Sequence, residues 1–117
     1  MTRSHMVIFT RTYDLLTWLL PHCERFPRAQ RFVVTKRLQD AALDFQERII
    51  EANALPVGPV RLERLQTADG DLGKLKLYLR LAFRWGWLTE QQYEFVSEQV
   101  AEIGKLLGGW MKQTKRA

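Results

Sequence analysis

Apolar residues recur along this chain at alternating steps of three and four, the spacing that puts side chains on one face of an α-helix. Near the end, Tyr93, Val96, Val100, Ile103, Leu107 and Trp110 keep that rhythm without a break. Leu38, Ala42, Phe45, Ile49 and Ala52 repeat it in the second quarter, and Leu65, Ala68, Leu72, Leu75, Leu79 and Ala82 in the third. In the first quarter the same spacing selects Phe9, Tyr13, Leu16, Leu20 and Cys23. Four heptad-like seams predict four helices packed at shallow angles, over roughly 8–25, 28–54, 60–85 and 90–113.

Breakers fall between the seams. Phe26-Pro27-Arg28 makes a tight break after the first, with Pro27 suited to a turn or a first helical position. The run from Asn53 to Pro59 is the breaker-rich linker between the second and third. Trp85-Gly86-Trp87 closes the third, and Thr89 with Gln92 three residues on reads as a capping box, Leu88 and Tyr93 standing at the staple positions. Connections this short make neighbouring helices antiparallel. The expected fold is therefore all-α, an up-down-up-down four-helix bundle in a single domain over residues 1–117. Pro21 should kink the first helix or end it early. Gly70 and Gly73 predict irregularity in the third, while Gly104 and Gly108 allow close approach by a neighbouring helix or subunit.

Composition adds a sign of charge. A chain of 117 residues, 46% hydrophobic and 26% charged, fits one folded core rather than a disordered segment. Eighteen Lys and Arg against 13 Asp and Glu leave +5, with a pI near 9.7. That balance favours polyanions: nucleic acid first, acidic protein surfaces or anionic membrane second. The single cysteine, Cys23, permits no internal disulfide and fits a reducing compartment. Leu15 to Leu20 is too short and too interrupted, by Thr17, for a signal peptide or a membrane span. The expected location is cytoplasmic, with no membrane partner.

Candidate chemistry is sparse. His22 and Cys23 are adjacent, so on a helix they diverge by about 100° and do not form a catalytic pair. Asp69-Gly70-Asp71 superficially matches an oxygen-ligand loop, but Lys74 and Lys76 stand where further ligands belong; a helix cap or a contact to a neighbouring Arg explains it better. No Gly-rich phosphate loop or Ser/His/Asp grouping is present. The expectation is a protein that is not an enzyme, with no cofactor and no metal.

The basic residues say more. Lys76, Arg80 and Arg84 step by four into one stripe on the third helix, with Lys74 to its side and Arg61 and Arg64 nearer its start. Arg28, Arg31, Lys36 and Arg37 gather in the first turns predicted for the second helix, where the helix dipole disfavours cations. Lys112, Lys115 and Arg116 form a basic tail. Any one of these fits a solvated polar face equally well; as a set they suit salt-sensitive, sequence-independent phosphate contacts. Trp110 lies on the core seam, whereas Trp85 and Trp87 flank a turn beside Arg84 and suit either packing or stacking on bases or a partner.

The run Leu75-Lys76-Leu77-Tyr78-Leu79-Arg80-Leu81-Ala82, then Leu88 to Tyr93, then Ile103-Gly104-Lys105-Leu106-Leu107-Gly108-Gly109-Trp110, resembles the second half of the accessory variability determinant proteins of diversity-generating retroelements. Asp14-Leu15-Leu16 and the segment from Phe26 to Arg37 resemble the first half. The resemblance implies a homopentameric barrel of four-helix bundles that associates with the element's reverse transcriptase and binds RNA or DNA through basic surfaces. It also implies support of mutagenic, adenine-targeted copying. The four-helix proteins encoded by intervening sequences of 23S ribosomal RNA genes share the pattern, and the alternative they imply is a plain protein-interaction module whose charge serves solubility. The closing Leu107-Gly108-Gly109-Trp110 fits the retroelement family better. On that reading Arg28, Arg31, Lys36, Arg37, Lys74, Lys76, Arg80 and Arg84 are the nucleic-acid candidates. Leu77, Leu81, Phe83 and Trp87, off the intrachain seam, are candidates for a subunit or partner interface.

Overall fold

The computed structural model describes residues 3–116, with side chains from Val7 onward. Its described residues form four helices and no strand: α1 (Arg3–Cys23), α2 (Val34–Ala54), α3 (Pro59–Arg84) and α4 (Glu90–Arg116). They pack as a bundle of 46 × 25 × 19 Å. The α2–α3 seam is the most extensive, α3 packs on α4 and α4 on α1, and α1 closes more lightly on α2.

Three of the four seams are buried as the spacing predicts. Leu38, Phe45 and Ile49 of α2, Leu65, Leu72, Leu75 and Leu79 of α3, and Val100, Ile103, Leu107 and Trp110 of α4 share one core. Tyr93 packs at its edge. Truncating a residue such as Ile49 to Ala would cost about 2–5 kcal/mol through lost burial and the void left behind.

The first seam is rotated by one residue. Ile8, Thr12, Leu15 and Leu19 face the core, while Tyr13 is 64% exposed and Phe9 and Leu20 lie at the margin. The displacement arises because a polar residue sits on the buried stripe. Thr12 donates its hydroxyl to the Ile8 carbonyl one turn back, at 2.7 Å, and so enters the core without an unmet hydrogen bond. Leu16 and Cys23 are buried in either register.

The helix ends have local causes. Pro21 lies in the last turn of α1, which stops two residues later at Cys23 and winds down through tighter bonds from the Glu24, Arg25 and Phe26 amides to the carbonyls three residues back. α2 begins at Val34 rather than at residue 28: Arg28–Gln30 form a separate 3₁₀ turn. At the end of α3, Gly86 takes φ 77°, and the Gly86 and Trp87 amides reach the Phe83 and Ala82 carbonyls in a Schellman closure that needs the glycine. Thr89 and Gln92 exchange the two capping-box bonds at 2.9 and 3.1 Å.

The glycines expected to disturb α3 do not. The helix runs unbroken through Gly70 and Gly73, whose positions face open space. Gly104 and Gly108 mark no tight crossing inside the chain either: a Cβ at Gly104 would meet Leu72 Cδ2 at an ordinary 3.6 Å, and one at Gly108 would meet nothing within 4 Å.

Candidate nucleic-acid interface

The antiparallel order puts the α1–α2 and α3–α4 connections at the same end of the bundle. The two connections touch: the Phe26 ring lies 5.3 Å from that of Trp87, which in turn lies 5.1 Å from Trp85. Residues from two separate stretches of sequence thereby share one end. Arg28, Arg31 and Arg37 come from the start of α2 and its approach, and Arg80 and Arg84 from the close of α3; all five are exposed. None of the five forms an ion pair among the described residues. Arg31 instead sets its guanidinium 4.7 Å over the ring of Phe32.

The other candidates are placed differently. Lys36 is tied to Asp40 at 2.6 Å, an exposed pair one turn apart. Lys74 lies about 15 Å along α3 from Arg84, at 1.5 Å per residue, and acts on the carboxylate of Asp71. Lys76 and Arg80 line a groove of about 250 Å³ between α3 and α4, with Tyr93, Ser97 and Ala101 as its other wall. Beyond that wall, Glu90, Glu94 and Glu98 form an acidic border with Phe83. The four-residue spacing of these glutamates was available in the sequence, and it limits the basic stripe on one side.

Arg28 and Arg31 lie outside α2, so the dipole of that helix acts in its first turn on Lys36 and Arg37. Arg61 and Arg64 do not extend the basic surface. Arg61 donates to the Ala52 and Asn53 carbonyls at 3.0 and 3.4 Å and to that of Leu55, closing the end of α2, and Arg64 binds Glu51 at 2.5 Å. Lys112, Lys115 and Arg116 belong to α4 itself; the last two occupy its final turn, where cations complement the dipole.

Among the interface candidates, Leu77 is 53% exposed and Leu81 is half-buried. Phe83 is partly exposed and stacks flat on Tyr93, 4.4 Å between centroids. Trp87 is half-buried and engaged with Phe26 and the core. Two further exposed apolar residues, Leu43 and Ile50, stand seven apart on the outer face of α2. Their heptad spacing is the signal that would have found them.

The residues weighed for catalysis are structurally occupied. The buried Cys23 thiol is pushed up to about 12 by desolvation, which keeps it protonated and unreactive. His22 stacks on Trp18, 3.9 Å between centroids, and its Nδ1 donates to the Trp18 carbonyl at 2.6 Å. Asp71 lies 3.8 Å from Arg48 across the α2–α3 seam, an ion pair without a hydrogen bond. Burial raises its carboxyl above the ordinary value, Arg48 works against that shift, Asp44 adds to it and Lys74 opposes it. Among the described residues no cluster of three His, Cys, Asp or Glu is placed to hold a metal ion, and no helix is long and apolar enough to cross a membrane.

The fold and this end of it define a small four-helix bundle with arginines unpaired among the described residues and stacked aromatics gathered beside two short connections. The chain belongs to the bAvd-like family, whose pattern matches residues 6–114. Its fold is also that of a crystal structure from Bacteroides thetaiotaomicron, a protein of unknown function from the S23 ribosomal protein family. The two superpose with a TM-score of 0.83 at 21% identity, over 93% of this chain and 98% of that one. No protein of curated function matches the chain.

Proposed function

We propose that this protein is a non-catalytic accessory factor of a diversity-generating retroelement, one that binds template RNA or DNA and docks the element's reverse transcriptase. Membership of the bAvd-like family supports the biological setting. The observation that carries the nucleic-acid reading is the set of Arg28, Arg31, Arg37, Arg80 and Arg84 at one end, without carboxylate partners among the described residues and beside exposed Trp85 and Phe32. Guanidiniums left without a carboxylate partner keep their donors for phosphate, and the aromatic faces suit unpaired bases. By holding template and polymerase together the protein raises the local concentration of each for the other.

The assembly belongs to the same proposal. A homopentamer would repeat the arginine-rich end around a ring, and Leu77, Leu81, Leu43 and Ile50 supply apolar surface for subunit or polymerase contacts. Light scattering of the purified protein at moderate salt tests it: a five-subunit mass is expected, and a monomer contradicts the ring. For the nucleic-acid role, reversing Lys76, Arg80 and Arg84 to Glu should lower the salt dependence of single-stranded RNA binding by about 2 in logarithmic slope, while helicity is retained. An unchanged RNA affinity in that triple variant removes the third-helix stripe from the account.

A further inference from the structure

The start of α2, like that of α3, has no side-chain cap. Its N-cap position is Val33, which offers no side-chain acceptor, and its first turn holds no acidic residue. A 21-residue helix therefore presents amide hydrogens and the positive end of its dipole with nothing of its own to meet them. Beside it lies a pocket of about 480 Å³, lined by Cys23, Glu24, Arg28, Arg31, Phe32 and Thr35 among others.

Thr35 is the second and independent sign. It is 3% exposed, yet its hydroxyl has no hydrogen-bond partner. Thr12 and Thr114 are equally buried, and each donates to the carbonyl four residues back, at 2.7 and 2.8 Å. Thr35 lies in the first turn, so the residue four before it, Arg31, belongs to the preceding turn and not to α2. A buried hydroxyl left unmet is a cost to the fold, and a helical threonine has two χ1 wells through which to turn toward a ligand.

The geometry points to this pocket as the seat of one phosphodiester of a single-stranded nucleic acid, with Phe32 as the platform for a neighbouring base. The inference rests on the nucleic-acid reading above and names where one nucleotide is held. Arg28 and Arg31 flank the opening and Glu24 shares it, so the charged rim is +1, which matches a singly charged diester better than a dianionic free phosphate. The Cys23 thiol, protonated, adds no charge. Phe32 is 74% exposed, so its ring is open to a base, and the Arg31 guanidinium stands 4.7 Å from the ring centroid.

Fluorescence anisotropy of a short labelled oligouridine, with the full chain and two variants, tests the site. Thr35→Val replaces the hydroxyl by a methyl, so its thermal midpoint should equal or exceed the parent's while oligonucleotide affinity falls about fivefold or more. Phe32→Ala, at an exposed position, should weaken binding about tenfold with the fold intact. Inorganic phosphate should compete poorly in the parent. If both variants bind like the parent while the Lys76, Arg80 and Arg84 reversal loses binding, the pocket is overturned and the nucleic-acid reading stands. If the parent itself does not bind oligouridine, both fall.

Discussion

The two ends of the bundle use their cations in opposite ways. Where α2 hands over to α3, Arg61 closes the last carbonyls of α2, Arg64 holds Glu51, and Glu51 also meets Arg48 at 3.4 Å. The last turn of α4 reaches that same end, with Lys115 and Arg116 at the negative pole of their helix. Each of these charges has a structural task. At the other end, Arg28 and Arg31 precede a helix and Arg37 sits in its first turn, where a cation opposes the dipole, and the described residues give none of them a carboxylate. Positive charge placed where it does not stabilise the fold is free for another use, and equal numbers of arginines in a sequence need not mean equal roles.

The sharpest way to break this contrast is Arg61→Met. Losing the guanidinium leaves the end of α2 uncapped and should cost about 2–3 kcal/mol in denaturant unfolding, with RNA affinity unchanged. A neutral result would place Arg61 with the free cations.

A smaller effect belongs to Asp71→Asn in the α2–α3 seam. The carboxyl of Asp71 is raised in the folded state, so the native protein holds that proton more tightly than the unfolded chain. Stability from this group accordingly falls as pH rises from the ordinary carboxylate range through the raised value. The substitution should flatten that decline and shift stability at neutral pH by no more than about 1 kcal/mol, since Arg48 retains Glu51. Unfolding midpoints across acidic pH check it; a variant whose profile parallels the parent's would show that Asp71 carries no such shift.

The smallest effect sharpens the other end. Arg37→Gln removes a cation from the first turn of α2 and should stabilise by about 0.3–0.5 kcal/mol at low salt. A loss of stability would mean that Arg37 has a structural partner after all.

Much of this was legible before the structure. The second, third and fourth seams, the Trp85-Gly86-Trp87 closure and the Thr89–Gln92 box follow from spacing and local chemistry, which act within a few residues. The first seam was misread by one position because Thr12 hides its polarity in a bond to Ile8, and a letter-by-letter hydropathy pattern carries no record of that bond. The true start of α2 was missed because Arg28–Gln30 are helical, but of the tighter kind. For the proposed site, the sequence offers candidate residues but not their neighbourhood. Whether an arginine is spent on a carbonyl, as Arg61 is, or left in water, as Arg28 is, depends on chain reversal at a distance. The orphan hydroxyl of Thr35, and the side of the basic stripe on which the Glu90, Glu94 and Glu98 row falls, emerge only when helices are set side by side.

The central claim is that location, not net charge, makes the arginine-rich end a nucleic-acid surface, and one paired titration addresses it. One variant carries Arg31→Gln, Arg80→Gln and Arg84→Gln; the other carries Lys112→Gln, Lys115→Gln and Arg116→Gln at the far end. Both lower the formal charge from +5 to +2. Single-stranded RNA affinity is measured against salt for each. The account predicts that the first loses about 2 in logarithmic salt slope and the second almost nothing. Equal losses in the two variants would contradict it.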